Sequence, residues 1–487
     1  MKASEGSWWE RLARREDVHW FRYRDRAFLL DANTAAVYEL DALAFDLLEA
    51  LTAGRGAGVA RQEVAARRSA AEVEEAWAEL EQFHRRGWLL GPDPLARLSC
   101  GEAEREALFA PAWTKALCLN VAHACNLRCT YCFAGQGRFG GEAELMPPEI
   151  ALAAVDYLLS QSPPGADLEV DFFGGEPLLN FPVVRKAIEY GEVAARAQGK
   201  NLHFTLTTNA LGLDRAKLEF LNRHRVQLIL SLDGRQEVHD RFRRLPDGRG
   251  SYAYVVPRIL EAVSSRGGPD PSPDYYIRGT FTRFNPDFSR DAAHLLELGL
   301  RRISLEPVVA PPEEDYALRP EDYPILVSEY DRLVELCLAE QSQGREFLFF
   351  HFQVDLEPGL CLPKRLRGCG AGHQYLAVSP SGNLYPCHQF VGQAEFLLGD
   401  LARGVVNREL QARFAGLNVL SREECRSCWA RYFCGGGCHA ASWLYYGDLQ
   451  KPHPLSCELV RKRLECALYL QCVGKNAGRA DFTAREG

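Results

Sequence analysis

The chain has 487 residues, is 47% hydrophobic and carries a net charge of -8, from 57 Lys and Arg against 65 Asp and Glu. That length accommodates about three domains at roughly 150 residues each, and the composition excludes a wholly disordered or fibrous chain. The acidic balance speaks against broad nucleic-acid binding, which needs surplus Lys and Arg to neutralise phosphates.

Residues 1 to 95 read as a small mixed module. The opening segment Met1–Glu10 has no apolar core of a signal peptide, so a cytoplasmic protein is expected. Val18–Tyr23, Ala27–Asp31 and Ala36–Leu40 read as three strands joined by turns. Two helices follow, one through Leu43, Phe45, Leu47, Leu48 and Leu51 and one through Val73, Ala76, Trp77, Leu80 and Phe83. Three strands followed by helices suggest a winged-helix-like module. Pro92, Pro94 and a polar stretch mark a linker over 96–114.

From 115 to 310 strand and helix patterns alternate. The strands are Leu117–Val121, Leu168–Phe173, Leu202–Leu206, Gln227–Ser231, Tyr276–Thr280 and Ile303–Leu305. A helix opens at Pro147-Pro148 and buries Ala151, Val155, Leu158 and Leu159. Repeated strand–helix units imply a parallel sheet with right-handed crossovers. Six of them make an α/β fold of the partial (β/α)6 barrel type, with its chemistry at the carboxyl ends of the strands. Residues 311–360 form a bridging region. Residues 361–472 are Cys- and Gly-rich and short of periodicity, so ligand bonds rather than a large apolar core are expected to hold them. The tail 473–487 is expected to fray. No apolar run approaches the ~20 residues of a membrane span.

Sixteen cysteines in a reducing compartment point to metal or redox chemistry. Cys125-x3-Cys129-x2-Cys132 follows the first barrel strand directly. Three thiolates in one short loop can hold three irons of a [4Fe–4S] cube and leave the fourth iron open. A zinc knuckle is the competing reading, although structural zinc sites close with four ligands.

Cys-Asn-Leu-Arg-Cys-Thr-Tyr-Cys at 125–132 resembles the signature of the radical S-adenosylmethionine (radical SAM) superfamily. The resemblance implies that the open iron is chelated by S-adenosylmethionine, whose reductive cleavage yields a 5′-deoxyadenosyl radical. Gly174-Gly175-Glu176-Pro177, after the second strand, resembles the family's GGE motif, which holds the methionine amino group. By the same resemblance Thr207 and Asn209, Ser231 and Asp233, and Arg283 and Glu306 are the expected cofactor-binding residues at the later strand ends.

Cys369-x12-Gly382-x4-Cys387, then Cys425-x2-Cys428-x5-Cys434-x3-Cys438-x18-Cys457, matches the SPASM pattern of peptide-modifying radical SAM enzymes. The resemblance implies two auxiliary [4Fe–4S] clusters. Cys369, Cys387 and Cys438, with Cys361 as the expected fourth ligand, hold the first. Cys425, Cys428, Cys434 and Cys457 hold the second. An unligated iron on the first would offer a site for a substrate thiolate. Zinc ribbons use similar pairs and remain the alternative. Cys100, Cys118, Cys337, Cys466 and Cys472 fall outside both patterns and read as small buried hydrophobes.

The first module resembles the PqqD-like recognition element, which binds a leader peptide as an added strand. Segments such as Phe28–Asn33, Val170–Pro177, Leu206–Asn209 and Tyr385–Phe390 resemble SCIFF-type thioether maturases. Where that family has Thr-Thr-Asn-Gly, this chain has Ala210, at a position suited to a positive-φ glycine. The expected activity is thioether cross-linking of a Cys-rich precursor peptide, with a flavodoxin or ferredoxin as electron donor and no nucleic-acid or membrane partner. The rivals are other SPASM chemistry (carbon–carbon cross-linking, epimerisation, sulfatase Ser or Cys oxidation) and a non-enzymatic, zinc-stapled winged-helix binding protein.

Overall fold

The structure is a computed structural model, and it describes residues 7–52, 56–94, 113–266, 275–356 and 362–477. Cys361 and Cys100 lie outside the described residues, as does most of the expected linker.

The amino-terminal module has strands β1 (Val18–Tyr23), β2 (Arg26–Asp31) and β3 (Val37–Leu40), antiparallel in the order β1-β2-β3. Strand residues alternate between two faces, and here both faces are buried. Val18, Trp20, Ala27 and Leu29 face the module's own core with Leu48, Leu51, Val73 and Leu80 from its helices. Phe21, Tyr23, Phe28 and Leu30 face the other way and join the main core of the molecule. Two helices that the periodicity did not disclose, Trp8–Arg14 and Ala57–Ala65, complete the module. Both are short and Ala- or Arg-rich, so their apolar stripe is thin.

Strands β4 (Ala116–Ala122), β5 (Asp167–Gly174), β6 (Asn201–Thr208), β7 (Gln227–Ser231), β8 (Tyr275–Phe281) and β9 (Arg302–Pro307) are parallel neighbours in chain order. Helices fill the crossovers. Pro148–Ser160 starts with Pro in its first turn, where no amide donor is missed, and buries Ala151, Val155, Leu158 and Leu159.

The sheet continues beyond these six strands. β10 (Leu348–Phe349) adds to β9, and β11 (Tyr375–Val378) pairs parallel with β4. β12 (Asn383–Tyr385), β13 (Gly399–Asp400) and β14 (Gly404–Val405) extend it as an antiparallel meander. The Cys-rich block is therefore hydrogen-bonded to the barrel sheet. It is also not held by ligand bonds alone, contrary to expectation. Leu376, Leu384, Phe390, Phe396, Phe414, Leu459 and Leu468 share one buried cluster with the barrel.

Residues 311–360 contain a long helix, Tyr323–Ser342, which packs on the last helix, Pro454–Ala477. Residues 473–477 of the expected tail continue that last helix, and 478–487 lie outside the described residues. Cys466, Ala467, Leu468 and Tyr469 anchor that helix in the core. Among the described residues no helix is long and apolar enough to cross a membrane.

Candidate functional site

A cleft of about 250 Å3 opens at the carboxyl ends of the barrel strands. Cys125, Cys129 and Cys132 line it from the loop after β4, with Gly174 at the end of β5 and Gly175 and Glu176 just beyond it. Thr207 and Asn209, Ser231 and Glu306 contribute from β6, β7 and β9.

The loop is tied to its surroundings by main chain. Gly175 N donates to Ala122 O at 2.8 Å and Glu176 N to Ala124 O at 2.9 Å. A Cβ on Gly174 would sit 2.4 Å from Ala122 O, and one on Gly175 would sit 2.2 Å from Ala124 O. Only glycine allows this approach. On the other side, Arg128 N donates to Arg244 O at 2.8 Å.

Glu176 is buried and its carboxylate accepts from Leu178 N at 3.1 Å, Thr208 Oγ1 at 2.7 Å and Asn209 N at 2.9 Å. A carboxylate has about four acceptor sites, so one direction remains for a ligand. Burial pushes its pKa up to about 7 against these hydrogen bonds. Asn209 Nδ2 donates to Asn126 Oδ1 at 2.8 Å and lies 3.7 Å from Cys125 Sγ, which orients the first cysteine.

Three expected residues do not face the cleft. Pro177 starts the short turn Pro177–Asn180 and is buried. Asp233 is buried in a bidentate pair with Arg243 and accepts from Tyr131 Oη at 2.6 Å and Thr280 N at 3.0 Å. Its carboxylate is structural here, not free for a ribose. Arg283 pairs with Glu321 and Asp322 at 3.2 and 3.6 Å.

Other lining residues went unnoticed in the sequence. Arg278 and Thr280 line the cleft from β8, two positions apart on one strand face. Strand alternation was the signal for them. Arg278 lies 4.0 Å from Glu306, whose carboxylate accepts from Ser304 Oγ at 3.1 Å and meets His351 Nε2 at 3.0 Å. Despite burial, His351, Arg463 and Arg278 hold Glu306 well below the usual carboxylate range. His388 and Gln389, directly after Cys387, form part of the wall. Burial pushes His388 down to about 4, so it is neutral at physiological pH, and it sits beside the Phe173 ring at 4.8 Å.

The thiols outside the first loop fall into two neighbourhoods. Cys387 is raised by burial and by its neighbours Cys438 and Cys369. Cys457 is pushed up to about 12 by burial and by Cys434, Cys425 and Cys428. In the first loop burial pushes Cys125 up to about 11 and Cys129 to about 12, each further raised by Cys132. None of these cysteines is in a disulfide. A coordinating metal deprotonates such thiols outright, so the donor sets fit soft, thiolate-bound iron. Among the described residues no three Cys, His, Asp or Glu side chains converge on a single ion position; a cube takes each thiolate at a separate iron.

Residues 119–272 match the family model of the Radical SAM superfamily. The matched segment begins within β4, includes the three-thiol loop and runs past the helix Tyr252–Ser264. The radical SAM cyclopropyl synthase TigE of Paramaledivibacter caminithermalis is 23% identical over 71% of this chain and 72% of its own length. A PqqA peptide cyclase of Methylobacterium is 26% identical over 70% of this chain and 86% of its own. The solved structure of native anSMEcpe with bound AdoMet superimposes with a TM-score of 0.60 at 20% identity, over 74% of this chain and 99% of that one. The fold is shared along that length.

Proposed function

We propose that this protein is a radical SAM maturase that installs thioether cross-links, Cys sulfur to carbon, in a ribosomally synthesised Cys-rich precursor peptide. One observation carries the reading. A single cleft is bounded on one side by the Cys125/Cys129/Cys132 loop and on another by His388 and Gln389, next to the auxiliary thiol Cys387. A substrate there reaches both the radical site and an auxiliary site.

Bound at the three-thiol loop, a [4Fe–4S] cluster with S-adenosylmethionine supplies a 5′-deoxyadenosyl radical. The chain's own residues do the rest. Glu176, Thr208 and Asn209 fix the strand ends around the amino group's place. Thr207, Ser231, Arg278 and Thr280 offer polar contacts to the cofactor's ribose and carboxylate. Phe133, Phe173, Leu127 and Val308 supply apolar walls that keep water from the radical. The two further thiol sets hold auxiliary clusters, with Cys361 completing the first. A flavodoxin or ferredoxin delivers electrons in the cytoplasm.

The amino-terminal module holds the leader peptide. In the described sheet β3 pairs only with β2, so its other edge is open to an added strand. Beside it a groove of about 410 Å3 is lined by Val37, Tyr38, Leu40, Ala76, Leu80 and Phe83.

Mass spectrometry of a treated precursor tests the reading. A thioether removes two hydrogens, blocks alkylation of one Cys and resists reduction. The likeness to the cyclopropyl synthase TigE supports a second reading, carbon–carbon bond formation, which removes hydrogens but leaves every Cys alkylatable. Epimerisation leaves the mass unchanged.

A further inference from the structure

Arg422 is one of the most deeply buried large side chains, 2% exposed. It precedes the helical turn Glu423–Arg426 that carries Cys425. Its Nη1 donates to Gly436 O, and its Nη2 donates to Leu449 O at 2.6 Å and meets His439 Nδ1 at 2.9 Å. Two of these partners are carbonyl oxygens, and the third, His439 Nδ1, can only accept from a guanidinium, which has no acceptor atom of its own. Its Nε is buried with no hydrogen-bond partner. Among the described residues no carboxylate forms an ion pair with it. A buried cation without a counter-charge is strongly unfavourable.

The acidic groups around it are thiols. Arg422 lies within electrostatic reach of Cys425, Cys434, Cys457 and Cys438, and of Cys369. These cysteines come from both auxiliary sets. Gly436 is the middle of Cys434-Gly435-Gly436-Gly437-Cys438, whose two ends belong to different sets, and His439 follows Cys438. Arg422 therefore grips the short bridge between the two sites.

We propose that Arg422 is the shared counter-ion of both auxiliary thiolate sets and raises the reduction potential of the cluster each one holds. This rests on the reading that both sets bind iron–sulfur clusters. One-electron reduction adds a negative charge to a site already made anionic by its thiolates. A fixed cation between the two sites favours that reduced form, and burial protects the interaction from salt screening. Arg422 acts through the clusters, as a positioning residue, and touches no substrate.

The test uses full-length protein reconstituted anaerobically, with Cys125, Cys129 and Cys132 replaced by Ala so that only auxiliary signals remain. Iron and sulfide are counted, then EPR-monitored redox titrations are compared for the parent, Arg422→Gln and Arg422→Lys. Arg426→Gln, a change at an exposed cation on the same turn, is the control. We expect Arg422→Gln to weaken reduction of both auxiliary clusters about tenfold, a shift of about 59 mV to more negative potential, with Arg422→Lys close to the parent. Loss of auxiliary iron in Arg422→Gln but not in Arg422→Lys also supports the proposal. Full iron with unmoved midpoints in Arg422→Gln overturns it, as does equal iron loss in both variants or an equal shift in the Arg426→Gln control. A parent of this background holding far less than about eight irons, four per cube, defeats the two-cluster reading instead.

Discussion

Asp233 and Arg243 form a two-point ion pair beneath the cleft, with Nε and Nη2 each 3.0 Å from a carboxylate oxygen. The Asp233 side chain is fully buried and that of Arg243 nearly so. The pair joins the end of β7 to the segment after helix Gln236–Phe242, and Tyr131 of the cysteine loop donates into it. Removing one partner of a buried pair costs about 3–5 kcal/mol. Asp233→Asn is therefore expected to lower the unfolding free energy, read from urea denaturation, by an amount in that range. A loss below about 1 kcal/mol would mean that the pair is hydrated in solution.

His239 sits beside this pair, with Nε2 2.9 Å from Ser251 Oγ. Burial, helped by Arg243, pushes its pKa down to about 4 against the attraction of Asp233. The folded chain then holds it neutral while the unfolded chain protonates near pH 6.5. Stability is complete above about pH 6.5 and falls as pH drops towards 4. At pH 5 this group alone removes about 2 kcal/mol. Denaturation of the protein and of His239→Gln at pH 7 and pH 5 should show the smaller pH dependence in the variant.

The cysteine loop makes a sharper prediction about cofactor content. Cys129→Ala should lose about four irons and form no 5′-deoxyadenosine, while the auxiliary visible absorption persists. Retention of cleavage activity would remove this loop from the reaction.

The groove beside β3 is tested separately from the chemistry. Ala76→Arg puts a long cation among Leu80, Phe83 and Tyr38. Leader-peptide affinity should fall at least tenfold by fluorescence anisotropy. Uncoupled 5′-deoxyadenosine formation without peptide should stay unchanged.

Ala210 adopts φ +63°, the left-handed conformation that costs a non-Gly residue roughly 1–2 kcal/mol. Its methyl is fully buried, which returns roughly 0.8 kcal/mol. Ala210→Gly should therefore change stability by less than about 1 kcal/mol, and with no loss of cofactor binding. The expectation that a glycine suits this position agrees with the backbone found there.

Much of the barrel was legible because its strands are short apolar runs separated by amphipathic helices. Their observed bounds differ from expectation by at most two residues, and Gln227–Ser231 not at all. The Cys-rich block was less so. Phe390, Phe396 and Phe414 are scattered among glycines and cysteines without a period, so nothing local announced that they bury together. Asp233 and Arg283 looked like cofactor contacts because they follow strand ends. The partners that engage them, Arg243 and Asp322, were not visible as partners in the sequence.

The sequence by itself determined the spacing of the cysteines and the order of the barrel strands, because both are set by neighbours along the chain. Only the tertiary structure decided which polar groups face the cleft and which are spent on one another. Pairing between residues far apart depends on how strands and loops pack, and burial then fixes each charge. Arg422 shows the difference: an unremarked arginine in the chain, and in the fold a buried cation among the thiols of two sites.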